Sequence, residues 1–100
     1  MSIAVLPQAA DEFAEATAYY EDKQPGLGQR FRDEVDRAIR WIKEHSDTPR
    51  LRQGGYRRVN LKAFPHYVAY MQFGETTWIL AIAHAHREPE YWIARKGEIT

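Results

Sequence analysis

The hydrophobic period of this sequence changes halfway along the chain, and this change limits the folds that the chain can adopt. Between residues 9 and 42, apolar side chains recur every three or four positions, as they do along one face of an α-helix. From residue 57 onward, β-branched and aromatic residues form short runs separated by turn residues, which is typical of β-strands. The sequence therefore predicts a helical half followed by a strand-rich half, an α+β domain.

The first half predicts one short strand and two helices. The apolar run Ile3–Leu6, closed by Pro7, predicts the strand. The apolar stripe of the first helix is Ala9, Phe13, Ala16 and Tyr20, and that of the second is Leu27, Phe31, Val35, Ala38 and Ile42. Asp11 and Glu12 fall near the start of the first helix, where negative charge is favourable. Because only Gln24-Pro25-Gly26 separates the helices, they should pack as an antiparallel hairpin.

The second half predicts three antiparallel strands, at Arg57–Leu61, His66–Phe73 and Thr77–His84. The expected fold is thus β-α-α-β-β-β, with the helical hairpin packed on one face of an antiparallel sheet. Little sequence remains to cover the other face, so we expect an open sheet face and look for a site there. The residues after Trp92 are expected to form a helical turn or a frayed end.

Length and composition set the class of protein. One hundred residues predict a single domain, 1–100, since two halves would each be too small to bury a core. Without cysteine, a disulfide framework and a thiolate metal site are excluded. No apolar run approaches the length of a membrane span, and the N-terminus lacks the basic start of a secretory signal. We therefore expect a cytoplasmic protein without a membrane partner.

The zero net charge of the chain conceals a local basic patch. No acidic residue occurs from Thr48 to Gly74, whereas five basic residues do: Arg50, Arg52, Arg57, Arg58 and Lys62. Such a patch can meet phosphates or an acidic partner. A pI near 6.9 argues against broad, non-specific affinity for nucleic acid.

Arg58 is the first candidate site residue. Strand alternation places Val59 and Leu61 on the face toward the helices, so Arg58 and Lys62 should project from the opposite face. An arginine there is suited to clamp a phosphate with two parallel hydrogen bonds. The alternative interpretation is a solvated strand edge that charge protects from pairing with other chains.

His84 and His86 stand two residues apart at the end of the last strand, on one face. Two such histidines suit general acid–base chemistry near neutral pH. They also suit a metal site, for which His66 or a carboxylate would have to supply the third ligand, but nothing in the sequence places it. The rival interpretation is that His84 is a hydrogen-bonded residue at the rim of the sheet.

Arg87, Tyr91 and Trp92 follow the same strand end, where binding groups are often located. Arg87 can neutralise the charge of a pentavalent phosphate, and Tyr91 can stack on a base or donate a proton. Trp92 is interpreted as a core residue that folds back onto the sheet.

Taken in order along the chain, these residues resemble those of the RelE/ParE superfamily of toxins from bacterial type II toxin–antitoxin systems. The resemblance covers roughly Ile3 to Arg95 and rests on Phe13, Tyr19-Tyr20, Pro25 to Gly28, Arg30-Phe31, Arg57-Arg58, Phe64-Pro65, Tyr67, Ala83-His84, Arg87, Pro89 and Tyr91-Trp92. It implies the same hairpin-on-sheet fold. It also implies a cognate antitoxin, with which the chain is expected to form a hetero-oligomer.

The resemblance leaves three activities open. RelE-like members cut messenger RNA on the ribosome without a metal or cofactor; here Arg58, Arg87 and Tyr91 are the nearest matches to their catalytic residues, with His84 or His86 as acid or base. ParE-like members bind DNA gyrase and do no chemistry of their own. A degenerate member would only bind its antitoxin. Because the basic catalytic set is incomplete and the net charge is zero, we favour the gyrase-binding branch.

Overall fold

The computed structural model describes residues 2–100 and confirms an α+β fold. Its elements are β1 (Ser2–Val5), α1 (Pro7–Lys23), α2 (Leu27–Glu44), β2 (Arg57–Asn60), β3 (His66–Phe73), β4 (Thr76–His84) and a 3-10 helix (Ile93–Glu98). No helix within residues 2–100 is long and apolar enough to cross a membrane.

The two helices form the predicted hairpin. Pro7 occupies the first turn of α1, where its missing N–H costs nothing. Gly26 turns the chain with a φ of 88°, in the left-handed region that favours glycine. Gly28 lets the helices approach closely, because a Cβ there would lie 2.7 Å from the carbonyl oxygen of Thr17. The Glu21 carboxylate accepts hydrogen bonds from the N–H groups of Gly26 and Gly28, both at 3.0 Å, and so caps the start of α2.

The sheet has the order β1-β4-β3-β2 and is mixed rather than wholly antiparallel. Strands β2, β3 and β4 form the predicted antiparallel meander, with a bulge between Ala69 and Tyr70. β1 instead pairs parallel with β4, so the prediction of an antiparallel sheet is wrong for this one strand. The reason is the connection: the chain leaves β1 and traverses both helices and two strands before β4 returns beside it in the same direction.

The helical hairpin covers one face of the sheet. The residues buried between the hairpin and the sheet form what we call the first core: Ala9, Phe31, Val35, Ile42, Leu61, Phe64, Val68, Tyr70, Ile79 and Ile82. Val59 packs against this core, as strand alternation predicts.

The opposite face is covered, which corrects the prediction of an open sheet face. The second core consists of Leu6, Tyr56, Tyr67, Ala69, Met71, Leu80, Ala81, Ala83 and Trp92. The C-terminal segment folds back over this face, and Trp92 is only 1% exposed, so its interpretation as a core residue is confirmed. The end of the chain forms the 3-10 helix, from which Ile93 and Ile99 pack against the second core.

Candidate functional site

A pocket of about 500 Å³ lies between α1 and the end of β4. It contains three of the five predicted site residues, His84, Arg87 and Tyr91. The other residues of this α1–β4 pocket are Glu12, Glu15, Ala16, Tyr19, Tyr20, His66 and Ile82. Two strand ends and one helix face therefore build the pocket, with aromatic rings on its walls and charged groups at its rim.

Three histidines run in a row, and two of them, His66 and His84, line the pocket. His66 and His84 are paired across β3 and β4, and their ring centroids are 4.9 Å apart. His86 follows, with its ring 5.0 Å from that of His84, and its backbone N–H donates to His84 Nδ1 at 3.0 Å. Among residues 2–100, no group of three or more histidine, aspartate and glutamate side chains is arranged to hold a metal ion.

His66 is the buried member of this row. It contacts the rings of Phe31 and Tyr20, with centroid distances of 5.0 and 5.7 Å, and its Nδ1 lies 3.4 Å from the Tyr20 hydroxyl. Burial, with a smaller contribution from the nearby His84, lowers the pKa of His66 to about 4, and Glu12 opposes the shift. His66 is therefore neutral at physiological pH.

Arg87 lies at the mouth of the pocket and is held by stacking. Its guanidinium carbon is 3.8 Å from the centroid of the Tyr91 ring, and the side chain has no carboxylate partner within the described part of the chain. An exposed arginine that is positioned by a ring keeps all its N–H donors available to a ligand.

Tyr91 is itself held in position by a part-buried charge network that contains Glu12 and Arg95. Its hydroxyl donates to the Glu12 carboxylate, which also pairs with Arg95 through two hydrogen bonds of 3.0 Å. Glu12 further accepts the backbone N–H of Ile82 at 3.1 Å, and Arg95 donates to the carbonyl of Leu80 at 3.0 Å. Glu12 and Arg95 thereby supply hydrogen-bond partners to backbone groups of β4 that lie beyond the end of β1.

This network removes Tyr91 from proton chemistry. Burial raises the pKa of Tyr91, and the hydrogen bond to Glu12 and its negative charge raise it further. The hydroxyl stays protonated at physiological pH, and its proton is directed at Glu12 rather than into the pocket. Tyr91 therefore serves as a platform for Arg87.

Arg58 lies on the other side of the sheet from this pocket. Its guanidinium carbon is 4.4 Å from the centroid of the Tyr67 ring, and its strand partner is Ala69; both residues belong to the second core. His84, in contrast, is paired with His66 on the face toward the helices. The structure thus brings His84, Arg87 and Tyr91 together, with His86 beside them, and separates Arg58 from them.

The sequence patterns do not identify Glu12, Tyr20 and Arg95 as site residues. The prediction that Glu12 is a charge at the start of the helix is wrong, because α1 begins at Pro7 and its first turn holds no acidic residue. A signal was present: Glu12 lies three positions after Ala9 and four before Ala16, within the apolar stripe. A carboxylate there requires a buried partner.

Replacing Glu12 with glutamine should lower the free energy of unfolding by about 2 kcal/mol, because Arg95 would be left part-buried without a counter-charge. Denaturant melts measure this loss. Glu15→Gln is the matched control, since Glu15 lies on the same helix, lines the same pocket and is exposed. Equal stability of the two variants would contradict the stabilising role of the pair.

A family model described as the ParE toxin of the type II toxin–antitoxin system parDE matches residues 3–89. No curated protein matches the chain. Among solved structures, the chain resembles one described as the chromosomal ParDE TA system from P. aeruginosa, with a TM-score of 0.78 and 17% sequence identity over 86% of this chain and 97% of that chain. At that identity the likeness establishes the fold alone.

Proposed function

Because the chain belongs to the ParE toxin family of type II toxin–antitoxin systems, we propose that it stops bacterial growth by binding DNA gyrase in the cytoplasm. A cognate antitoxin, which the family implies, forms a hetero-oligomer with it and neutralises it. The chain needs no cofactor for this activity, since it acts by occupying its target.

The observation that supports binding over RNA cleavage is the dispersal of the candidate catalytic groups. A metal-free ribonuclease needs charge and proton donors converging on one phosphate. Here Arg58 stacks on Tyr67 across the sheet from His84, and the Tyr91 hydroxyl is engaged by Glu12. What remains at the α1–β4 pocket is an accessible arginine, Arg87, beside aromatic and histidine rings, which is a surface suited to binding.

Within this proposal Arg87 is the principal contact to gyrase. It is exposed and free of ion pairs within residues 2–100, and stacking on Tyr91 reduces the rotamer freedom that it loses on binding. His84 and His86 give the rim its shape and hydrogen-bonding groups, and Tyr91 positions Arg87.

Replacing Arg87 with alanine should raise the toxin concentration needed to inhibit gyrase about tenfold or more, since a charge-assisted hydrogen bond contributes about 1.5–3 kcal/mol. Supercoiling by purified gyrase measures this directly. Arg40→Ala is the control, because Arg40 is exposed on α2 and lines neither this pocket nor any neighbouring groove. Undiminished supercoiling in the presence of the intact chain would contradict the proposed target.

The double variant His84→Gln with His86→Gln distinguishes binding from catalysis. Glutamine keeps size and polarity but cannot exchange protons near neutral pH, so a gyrase inhibitor should retain most of its toxicity. A ribonuclease that uses either histidine would lose toxicity while the variant still folds and binds antitoxin. Induced expression without antitoxin completes the test: filamentation with DNA-damage signalling supports gyrase, whereas cleaved messages or unimpaired growth would reject it.

A further inference from the structure

Two side chains of opposite charge line the α1–β4 pocket without meeting. Arg87 follows the end of β4 and Glu15 belongs to α1, and both are exposed at the mouth of the pocket. Among residues 2–100, neither side chain forms an ion pair, with the other or with any further charged group. The pocket therefore presents one free cation and one free anion to a ligand.

The helical period of α1 explains why Glu15 faces the pocket. Four residues of α1 line it from positions i, i+3, i+4 and i+7, on one face of the helix: Glu12, Glu15, Ala16 and Tyr19. The charge of Glu12 is already balanced by Arg95, at 3.0 Å. Glu15, one turn further along α1, is thus the carboxylate of this face that is available to a ligand.

The deeper lining of the pocket is apolar and aromatic. Ile82 and His66 are only 4% and 7% exposed, and the Tyr20 ring packs against that of His66 with a centroid distance of 5.7 Å. The pocket volume of about 500 Å³ lies within the range of small-molecule sites, about 300 to 1,000 Å³. A ligand of this pocket is therefore expected to be small, with an apolar body and charge at one end.

We propose that the α1–β4 pocket binds a zwitterionic α-amino acid with an apolar or aromatic side chain. The α-carboxylate accepts hydrogen bonds from Arg87, the α-ammonium group donates to Glu15, and the side chain lies against the Tyr20 and His66 rings. A simple anion would pair with Arg87 and leave Glu15 facing it, and a simple cation would do the reverse. A ligand that carries both charges pairs both residues.

The probe is phenylalanine, titrated at pH 7.5 into the isotope-labelled full chain and followed by NMR. Most histidine side chains are uncharged at this pH, so the two free charges dominate the pocket. We expect saturable chemical-shift changes at Ile82, Tyr20 and Arg87, with a Kd of about 1 mM or tighter.

Three analogues each lack one of the recognised groups. N-acetylphenylalanine lacks the ammonium charge and phenylalanine amide lacks the carboxylate, and each should bind about fivefold more weakly than phenylalanine, as expected for an exposed ion pair. Glycine keeps both charges but lacks the ring, and it should bind about tenfold more weakly or worse, because it buries no apolar side chain.

Two variants assign each charge to its residue. Arg87→Ala should bind phenylalanine and its amide equally, yet still prefer phenylalanine to N-acetylphenylalanine. Glu15→Gln should show the reverse selectivity. Both are ratios measured within one variant, so a loss of stability cannot imitate them. Arg40→Ala, outside the pocket on α2, is the control and should keep both preferences.

Two results would overturn the proposal. The first is the absence of saturable shifts in the pocket. The second is equal binding of phenylalanine and both analogues that lack a charge, because the ring alone would then account for the affinity. Gyrase inhibition is measured separately. A chain that inhibits gyrase without binding phenylalanine would overturn this proposal alone, and one that binds phenylalanine without inhibiting gyrase would overturn only the proposed function.

Discussion

Replacing Trp92 with alanine is expected to lower the free energy of unfolding by about 3 to 5 kcal/mol, as for other fully buried aromatic residues. Trp92 is 1% exposed, and its ring meets that of Tyr56 edge-on at 4.6 Å. Its Nε1–H donates to the Tyr67 hydroxyl at 2.9 Å, so truncation also leaves a buried hydroxyl without this donor. Urea denaturation followed by far-UV circular dichroism measures the loss.

Two further variants separate packing from hydrogen bonding in this prediction. Trp92→Phe keeps most of the apolar volume and loses only the N–H donor, so it should cost less than Trp92→Ala. Trp41→Ala removes the same side chain from an exposed site on α2 and should cost about 1 kcal/mol or less. If Trp92→Ala and Trp41→Ala were equally mild, the C-terminal segment would not be an integral cover of the sheet.

Local patterns predict most of the secondary structure. The bounds of β3 agree with the sequence prediction at both ends, His66 and Phe73, and both helices lie where the apolar stripes place them. Each of these elements is specified by its hydrophobic period and by turn residues at its ends, and all of these residues are close in sequence. β2 ends one residue earlier than predicted, at Asn60.

The cover of the second sheet face depends on contacts that no local pattern reports. Arg95 reaches Glu12 across 83 positions of sequence, and Trp92 donates to Tyr67 across 25. The 3-10 helix that they hold in place has no buried residue of its own and hence no apolar stripe to detect. Parallel pairing of β1 with β4 is equally non-local, since it joins Ser2 to Thr76.

The candidate site could likewise be predicted from local sequence only in part. Sequence alone places His84, Arg87 and Tyr91 near one strand end, and the structure gathers them in one pocket. For Arg58, alternation correctly predicts the face away from the helices. Alternation does not tell whether His84 lies on that same face, because this depends on the pairing register of the strands. In the structure Arg58 pairs with Ala69 and His84 pairs with His66, which places Arg58 and His84 on opposite faces. A one-residue change in register would reverse the outcome.

Acid is expected to destabilise the protein through His66 within a defined pH window. The folded-state pKa of His66 is about 4, because burial disfavours the charged ring, whereas the unfolded chain has the ordinary value near 6.5. Between these values the unfolded state binds more protons, so stability rises with pH. The contribution is complete above about pH 6.5 and is lost as pH falls toward 4, by about 3 kcal/mol in total.

The groups around His66 explain why it stays neutral. Phe31 and Tyr20 pack against it from the helices, and His84 faces it from β4. The Tyr20 hydroxyl is the nearest polar group, and burial raises the pKa of Tyr20, so it cannot supply a negative charge at these pH values. Among residues 2–100, Glu12 is the one nearby group that favours protonation of His66, and its carboxylate is already paired with Arg95.

Urea midpoints recorded from pH 7 down to pH 4 test this dependence. His66→Gln should flatten the curve in that window, because glutamine does not titrate, even if the variant is less stable at neutral pH. His45→Gln is the matched control: His45 is exposed at the end of α2, so its removal should leave the slope unchanged. A slope that persists in His66→Gln would assign the acid sensitivity to other groups, and one that disappears only in His45→Gln would exclude burial of His66 as its origin.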